Sequence, residues 1–345
     1  MTNMRWHPFD RSSLQCIEFD CGKILFRGAC PVEKTPGMPC VTVAGAFDGL
    51  HLGHQRLVRG AVADARAHGV PCIVVSFDPD PQVVLSPGSS PQRLLSCADS
   101  AAGLIELGAD AVVLFDFTPE LAHLSPQDFI NRVLLTHLAP VSIHVGTNFR
   151  FGYCGAGNVD TLAELGRSSG FEVCAQELYC HAGETVSATH VRELLRTSRL
   201  AEANELLGRC HYVRGQVLHG RGEGTGFGFP TANVSCDASV CLPAEGVYAC
   251  YAIVGERAWP AATNVGAPRS FTNEAMPSFL ETNLIGFSGD LYDSDMSLAF
   301  VSWLRAPRTF DSLDELKSVV LNNIAWVSDH LGSEEIRLGE QQGEV

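Results

Sequence analysis

The sequence predicts two folds in one chain: an N-terminal doubly wound α/β unit built on a parallel sheet, then a C-terminal small β barrel or sandwich with a closing helix. Three observations carry this. At 345 residues, 46% of them apolar, the chain exceeds what one core organises, since single cores stop growing at about 250 to 300 residues. From residue 41 to about 207, apolar runs alternate with helical periodicity. Beyond Arg209 the runs shorten and Gly and Pro punctuate them, as in small barrels and sandwiches.

Residues 1–40 show no periodicity and are assigned no element. Residues 41–43, 72–77, 111–115 and 142–146 are short and almost wholly apolar, the signature of strands covered on both faces. Leu57, Val58, Ala61, Val62 and Ala65 mark a helix that Gly69 stops, and Phe129, Val133 and Leu134 mark another. Strand, helix and strand in repetition make a doubly wound parallel sheet. Residues 212–217, 247–254, 279–285 and 298–304 read as strands of a small barrel or sandwich. The closing helix begins at a Ser312–Glu315 capping box, repeats Leu313, Leu316, Val320, Ile324, Val327 and Leu331 at three and four residues, and ends at Gly332. The expected division is 1–207, 208–338 and a polar tail, 339–345.

Composition excludes several function classes. A formal charge of −15 without a Lys/Arg cluster argues against nucleic-acid or anionic-membrane partners. No run of about 18 apolar residues occurs and the start lacks a signal-peptide pattern, so a cytoplasmic protein is expected. The 13 cysteines are odd in number, lack Cys-x-x-Cys and sit mostly among apolar neighbours, the pattern of reduced thiols. Cys236 and Cys241 have no ligand partners at zinc spacing, so no structural zinc is expected. A homo-oligomer stays open.

Anionic small molecules must then be held locally. The stretch VTVAGAFDGLHLGHQ leaves a buried strand, turns through Gly45 and Gly49, and enters a helix with His51 and His54 at its first turn. Free amides and the dipole of a helix N-terminus favour anions, and residues three apart share a face. Both imidazoles can therefore reach a triphosphate and stabilise in-line attack at phosphorus. A His-x-Gly-His match alone is ambiguous with surface histidines; its place at the first strand-to-helix crossover makes it specific. In VSATHVRELLR, Ser187 and Thr189 precede a helix with Arg192 in its first turn, hydroxyls and a guanidinium suited to phosphate. In isolation they read as an N-cap and a solvated arginine.

The second chemical stretch, HGRGEGTGFGFPTANV, carries five glycines in the nine residues Gly220 to Gly228, bare backbone that phosphate can approach. If residues 231–233 are extended, Thr231 and Asn233 share one face and offer a hydroxyl and an amide oxygen to Mg2+. Glu281, with Asn283 on the same face of its strand, is the candidate general base. A lone strand glutamate is more often a solvated outer-face residue.

These motifs together resemble the bacterial bifunctional riboflavin kinase/FMN adenylyltransferases, also called FAD synthetases. The resemblance runs from Val41 to about Leu331 through GAFDGLHLGH, SFDPDP, VGTNFRFG, VSATHVR, GFPTAN and LETNLIGFSGDLY. It implies that His51 and His54 bind the ATP phosphates in a pocket shaped by Gly45, Phe47 and Asp48, with Asn148, Phe149 and Arg150 lining the flavin side. Ser187, Thr189 and Arg192 match its phosphate-binding pattern, with Ala188 where a serine is usual. It also implies a six-stranded barrel in which Gly220, Gly224, Gly228, Phe229 and Pro230 form the nucleotide loop, Thr231 and Asn233 hold Mg2+ and ATP, and Glu281 is the base. Thr225, Asn283, Gly286 and residues 267–271 depart from the family pattern.

The function so implied is phosphorylation of riboflavin to FMN by ATP in the barrel and adenylylation of FMN to FAD in the α/β unit. Rival readings are a monofunctional adenylyltransferase with a flavin-binding barrel, a flavin-binding regulatory protein, and a class I tRNA synthetase; the acidic charge opposes the last.

Overall fold

The structure, a computed structural model, describes residues 4–28, 37–86, 88, 91–219, 229–266 and 279–338. Contacts group the chain into two compact units, Phe9–Ala188 and Met1–Pro8 with Thr189–Val345.

In the first unit the strands are β1 (Gln15–Phe19), β2 (Gly22–Phe26), β3 (Pro39–Ala44), β4 (Cys72–Asp78), β5 (Ala111–Asp116), β6 (Ala139–Gly146) and β7 (Glu172–Gln176), in sheet order β1-β2-β5-β4-β3-β6-β7. The five strands from β5 to β7 are parallel. Their all-apolar stretches are covered on both faces: Val41, Val43, Ile73, Val74, Ala111 and Val112 are buried, which is why the sequence shows no alternation there. The helix Leu52–His68 ends as its glycine predicts, with Gly69 at φ 66°.

Within the stretch 1–40, silent in the sequence, residues 15–26 extend this sheet. β1 and β2 form an antiparallel hairpin that pairs with β5. Gly22 makes this possible, because a Cβ there would lie 2.1 Å from the Leu114 carbonyl oxygen. The helix expected around Phe129 winds as a π-helix over Phe129–Leu134, a widening often found near functional sites.

β3 lies between β4 and β6. The chain therefore runs outward from β3 in one direction through β4 and β5, then returns to the other side at β6. This is the topological switch point, where the carboxyl ends of β3 and β6 open a crevice for ligands. Two short strands, β8 (Cys180–His181) and β9 (Glu184–Thr185), make a separate hairpin.

The second unit holds β10 (His211–Leu218), β11 (Ala232–Ser235), β12 (Gly246–Val254), β13 (Arg257–Val265), β14 (Phe279–Leu284), β15 (Asp295–Arg305) and β16 (Ile336–Arg337). The order β12-β15-β10-β11-β14-β13 closes on itself through a β12–β13 pairing, with β16 added on β13. All pairs are antiparallel, so the predicted six-stranded antiparallel barrel is observed. Tyr248, Phe300, Leu298 and Val234 are buried in its core.

The helix Leu313–Leu331 starts at Ser312, whose hydroxyl accepts from the Glu315 amide at 3.2 Å. Glu315 in turn accepts from the Asp311 amide, one residue before the usual capping-box donor. The helix Ala188–Arg196, from Thr189 onward, and the helix Leu200–Leu207 also belong to this unit. Asn204, buried, donates to the Phe300 carbonyl and accepts from the His211 amide, and the Ala244 amide donates to the Leu195 carbonyl. Trp6 lies against Tyr251 with ring centroids 4.2 Å apart.

Among the described residues no helix is long and apolar enough to cross a membrane, and the described cysteines are all free thiols.

Candidate active sites

At the carboxyl end of β3 the backbone turns sharply. Phe47 and Leu50 take left-handed conformations (φ 55° and 46°), as does Gly49 (φ 75°), and both large side chains are fully buried. The burial holds a backbone that such residues rarely adopt. The Phe47 ring fills the space beside Gly45, where a Cβ would sit 3.1 Å from it. Asp48 accepts from the amides of Leu94 and Leu95 at 3.0 to 3.3 Å, fastening the turn to the segment before the helix Cys97–Glu106.

That turn delivers His51 as the N-cap of the helix Leu52–His68, its Nδ1 accepting from the His54 amide at 3.4 Å. Because Nδ1 accepts, a neutral His51 carries its proton on Nε2. The two imidazoles stack at 3.7 Å and 20°, and Phe47 meets His54 edge-on at 5.3 Å. A Cβ at Gly53 would come within 3.1 Å of the His51 ring, so glycine there makes room for the stack. Burial lowers the His51 pKa to about 4. Burial, then the neighbouring His51, holds His54 well below the usual histidine range. The His54 Nδ1 is buried without a protein partner among the described residues. A neutral pair of donors at a helix N-terminus can meet phosphate oxygens, and an arriving anion raises both proton affinities.

β6 ends across the switch point. The Phe149 amide donates to the Gly146 carbonyl at 2.9 Å, turning the chain so that Asn148, Phe149 and Arg150 follow the strand end. Phe149 stacks on Phe151, and Arg150 is exposed. A pocket opens beside the glycine turn, lined by Ala46, Phe47, Asp48, Phe77, Arg93 and Leu95. Arg93, which the sequence did not single out, lies 3.5 Å from Asp78, as an ion pair shared with Lys23 at 2.7 Å.

Ser187 falls at the end of the first unit, whereas Thr189 and the buried Arg192 open the second. Ala188 starts the helix that carries them.

On the barrel, Asn233 of β11 and Asn264 of β13 are both register partners of Glu281 on β14. Directly opposed residues point to the same side, so two amides flank the Glu281 carboxylate. All three are half-buried. On the other side, the buried Thr263 and Thr282 hydroxyls bond at 3.2 Å, which fixes that side as the barrel interior. Asn264 was missed in the sequence; its signal was the alternation of β13, legible only once its pairing with β14 is known.

Asn283 shares Glu281's side and donates to the Pro230 carbonyl at 2.8 Å, tying the Phe-Pro turn to β14. Phe229 is buried, and Thr231 is exposed one residue before β11. Among the described residues, no hydrogen bond engages the side chains of Thr231 or Asn233. Two uncommitted neutral oxygens beside a carboxylate fit a cation that keeps water and phosphate ligands. Gly220, Gly224, Gly228, Thr225 and residues 267–271 lie outside the described residues.

Comparison with known proteins bears on both sites. The FAD synthetase family profile matches residues 34–190 and the riboflavin kinase profile residues 207–331. A bifunctional riboflavin kinase/FMN adenylyltransferase of Escherichia coli K12 is 34% identical over 297 residues, 86% of this chain and 94% of that one. The chain belongs to the bifunctional riboflavin kinase/FMN adenylyltransferase family. A Bacillus subtilis member is 30% identical over 280 residues, 80% of this chain and 87% of its own. A crystal structure described as a macrolide-efflux protein from Streptococcus pneumoniae superposes with a TM-score of 0.77 at 26% identity, covering 87% of this chain and 98% of that one. In this family member, adenylyltransferase and kinase profiles follow in the order of the two chemical stretches, and its enzymes use ATP, generally with a metal.

Proposed function

We propose that this family member makes FAD from riboflavin in two ATP-dependent steps, one in each catalytic region, with domain limits 1–207 and 208–338. The observation that carries the reading is the paired geometry: two stacked histidines at the switch-point helix of one unit, and Glu281 between two asparagines on the barrel of the other.

In the kinase step Glu281 takes the proton of the riboflavin 5′-hydroxyl as its oxygen bonds to the γ-phosphorus of ATP; the bond to the β–γ bridging oxygen breaks and ADP leaves. General-base assistance of this kind contributes about 10² to 10⁴ in rate. Thr231 and Asn233 are the residues that would hold Mg2+, which supplies charge neutralisation for the phosphates. Asn233 and Asn264 also orient Glu281. Gly220, Gly224, Gly228, Phe229 and Pro230 are the residues that the family resemblance assigns to nucleotide binding.

In the adenylylation step an FMN phosphate oxygen attacks the α-phosphorus of a second ATP, and pyrophosphate departs. His51 and His54 donate to the oxygens on which charge accumulates. Gly45, Phe47 and Asp48 hold the turn that presents them, Asn148, Phe149 and Arg150 face the flavin, and Ser187, Thr189 and Arg192 bind phosphate oxygens. The enzyme works in the cytoplasm, and the acidic charge of −15 supports its acting on these small molecules without nucleic acid or an anionic membrane.

A chromatographic time course with riboflavin, ATP and magnesium, run beside one started from FMN, tests this. FMN followed by FAD is expected. FAD arising only from supplied FMN would remove the kinase assignment, and no product from either start would remove both.

A further inference from the structure

Away from both sites, Asp64, His144 and Cys174 bring a carboxylate oxygen, an imidazole nitrogen and a sulfur within 4.8 Å of one another, the one such group of three among the described residues. The topology places them there. His144 and Cys174 are direct register partners on the parallel strands β6 and β7, so both side chains stand on one face of the sheet. The helix Leu52–His68 crosses that face and lowers Asp64 onto them. His144 Nε2 lies 2.8 Å from Asp64 Oδ2, and the Ser142 hydroxyl donates to the same oxygen at 2.6 Å. One helical turn further on, His68 Nδ1 is 3.1 Å from Asp64 Oδ1.

We propose that Asp64, His144 and Cys174 form a binding site for a borderline-soft divalent transition-metal ion of the zinc type, with solvent completing the tetrahedron and His68 as an outer partner of the Asp64 carboxylate. The donor set decides the class of ion. One carboxylate with an imidazole and a thiol suits zinc, whereas calcium and magnesium require a shell of oxygens. A tetrahedral ion with bonds of roughly 2.0 to 2.3 Å sets its ligand atoms roughly 3.3 to 3.7 Å apart, within reach of the present spacing by small side-chain rotations. Ser142 has the place of an outer partner that orients a ligating carboxylate.

Proton balance is straightforward. His144 coordinates through Nε2 with its proton on Nδ1, Asp64 is already ionised, and the Cys174 thiol releases its proton to solvent as sulfur bonds the ion. Without the ion, burial and then the Asp64 charge hold that thiol up. For Asp64, burial raises the pKa, but the bonds from His144 and Ser142 outweigh it and leave the carboxyl low. The competing account is a polar clamp that fastens helix to sheet and binds nothing.

Full-length protein freed of metal by chelator is titrated with Co2+ and followed by absorption. Site binding gives a thiolate-to-cobalt charge-transfer band with intense tetrahedral d–d bands, saturating at a single equivalent and bleached by Zn2+. Cys174→Ser removes the charge-transfer band, His68→Ala weakens the affinity about tenfold, and Cys236→Ser, in the other unit, changes neither. Far-UV dichroism of each variant verifies that it has folded. Absence of a charge-transfer band, or a band that survives in Cys174→Ser, overturns the proposal.

Discussion

The rings of His51 and His54 stack 3.7 Å apart at the start of one helix. Two imidazolium ions could not share that spacing in a buried place without strong repulsion. The pair is therefore neutral in the free protein and waits for an anion to supply the missing charge.

Replacing either histidine tests that role. His51→Ala or His54→Ala should lower FAD formation from FMN by about 10² to 10³-fold, the range for removing one donor to a developing oxyanion. FMN formation from riboflavin should be unchanged. Product chromatography from both starting flavins reads the two outcomes, and unaltered FAD production would remove the pair from catalysis.

Acid should expose the same pair as a stability liability. The folded-state pKa of His51 is about 4, below the unfolded value of about 6.5, so the unfolded chain binds more protons between these values. Stability then rises with pH across that window: the contribution is complete above about pH 6.5 and is lost progressively as pH falls toward 4. For His51 it amounts to on the order of 3 kcal/mol. His211 in the barrel, whose pKa burial lowers to about 3, adds in the same sense. Urea midpoints from pH 7 to 4.5 should decline in wild type and decline less in His51→Gln.

Glu281 is held between Asn233 and Asn264 by strand register. Glu281→Gln preserves shape but removes the base, so the kinase rate should fall about 10² to 10⁴-fold while FAD formation from supplied FMN persists. A kinase rate within threefold of wild type would assign the proton transfer elsewhere.

Asn283→Ala frees the Pro230 carbonyl that its amide engages. Loss of one such bond costs about 1 to 3 kcal/mol. The expected result is a raised KM for ATP in the kinase step, with kcat less affected. An unchanged KM would show that the Phe-Pro turn is held by other contacts.

Gly103→Ala should act at a distance through packing. A Cβ there would come within 2.4 Å of Leu50 Cδ1 and 2.8 Å of Phe9 Cε2, so the side chains of Leu50, in the turn before His51, and Phe9 must give way. Overpacking of this kind costs about 1 to 3 kcal/mol. Thermal melts should show the loss, and FAD formation should suffer more than FMN formation.

The sequence by itself determined the parallel α/β fold and the all-β class of the second unit, because a parallel sheet covered on both faces leaves all-apolar strands and a small barrel or sandwich leaves short punctuated ones. It also singled out His51, His54 and Glu281 as candidates, since their neighbours in the chain define a helix start and a strand face. Only the tertiary structure decided which partners those residues meet. The β1–β2 hairpin was invisible because β1 is largely exposed and is held by β2, which in turn pairs with β5. Asn264 joins Glu281, Asp48 fastens residues 94 and 95, and Asp64 meets His144 and Cys174 through register and crossover, relationships between residues far apart in the chain. Periodicity records which face of an element is buried; it holds no information about what covers that face.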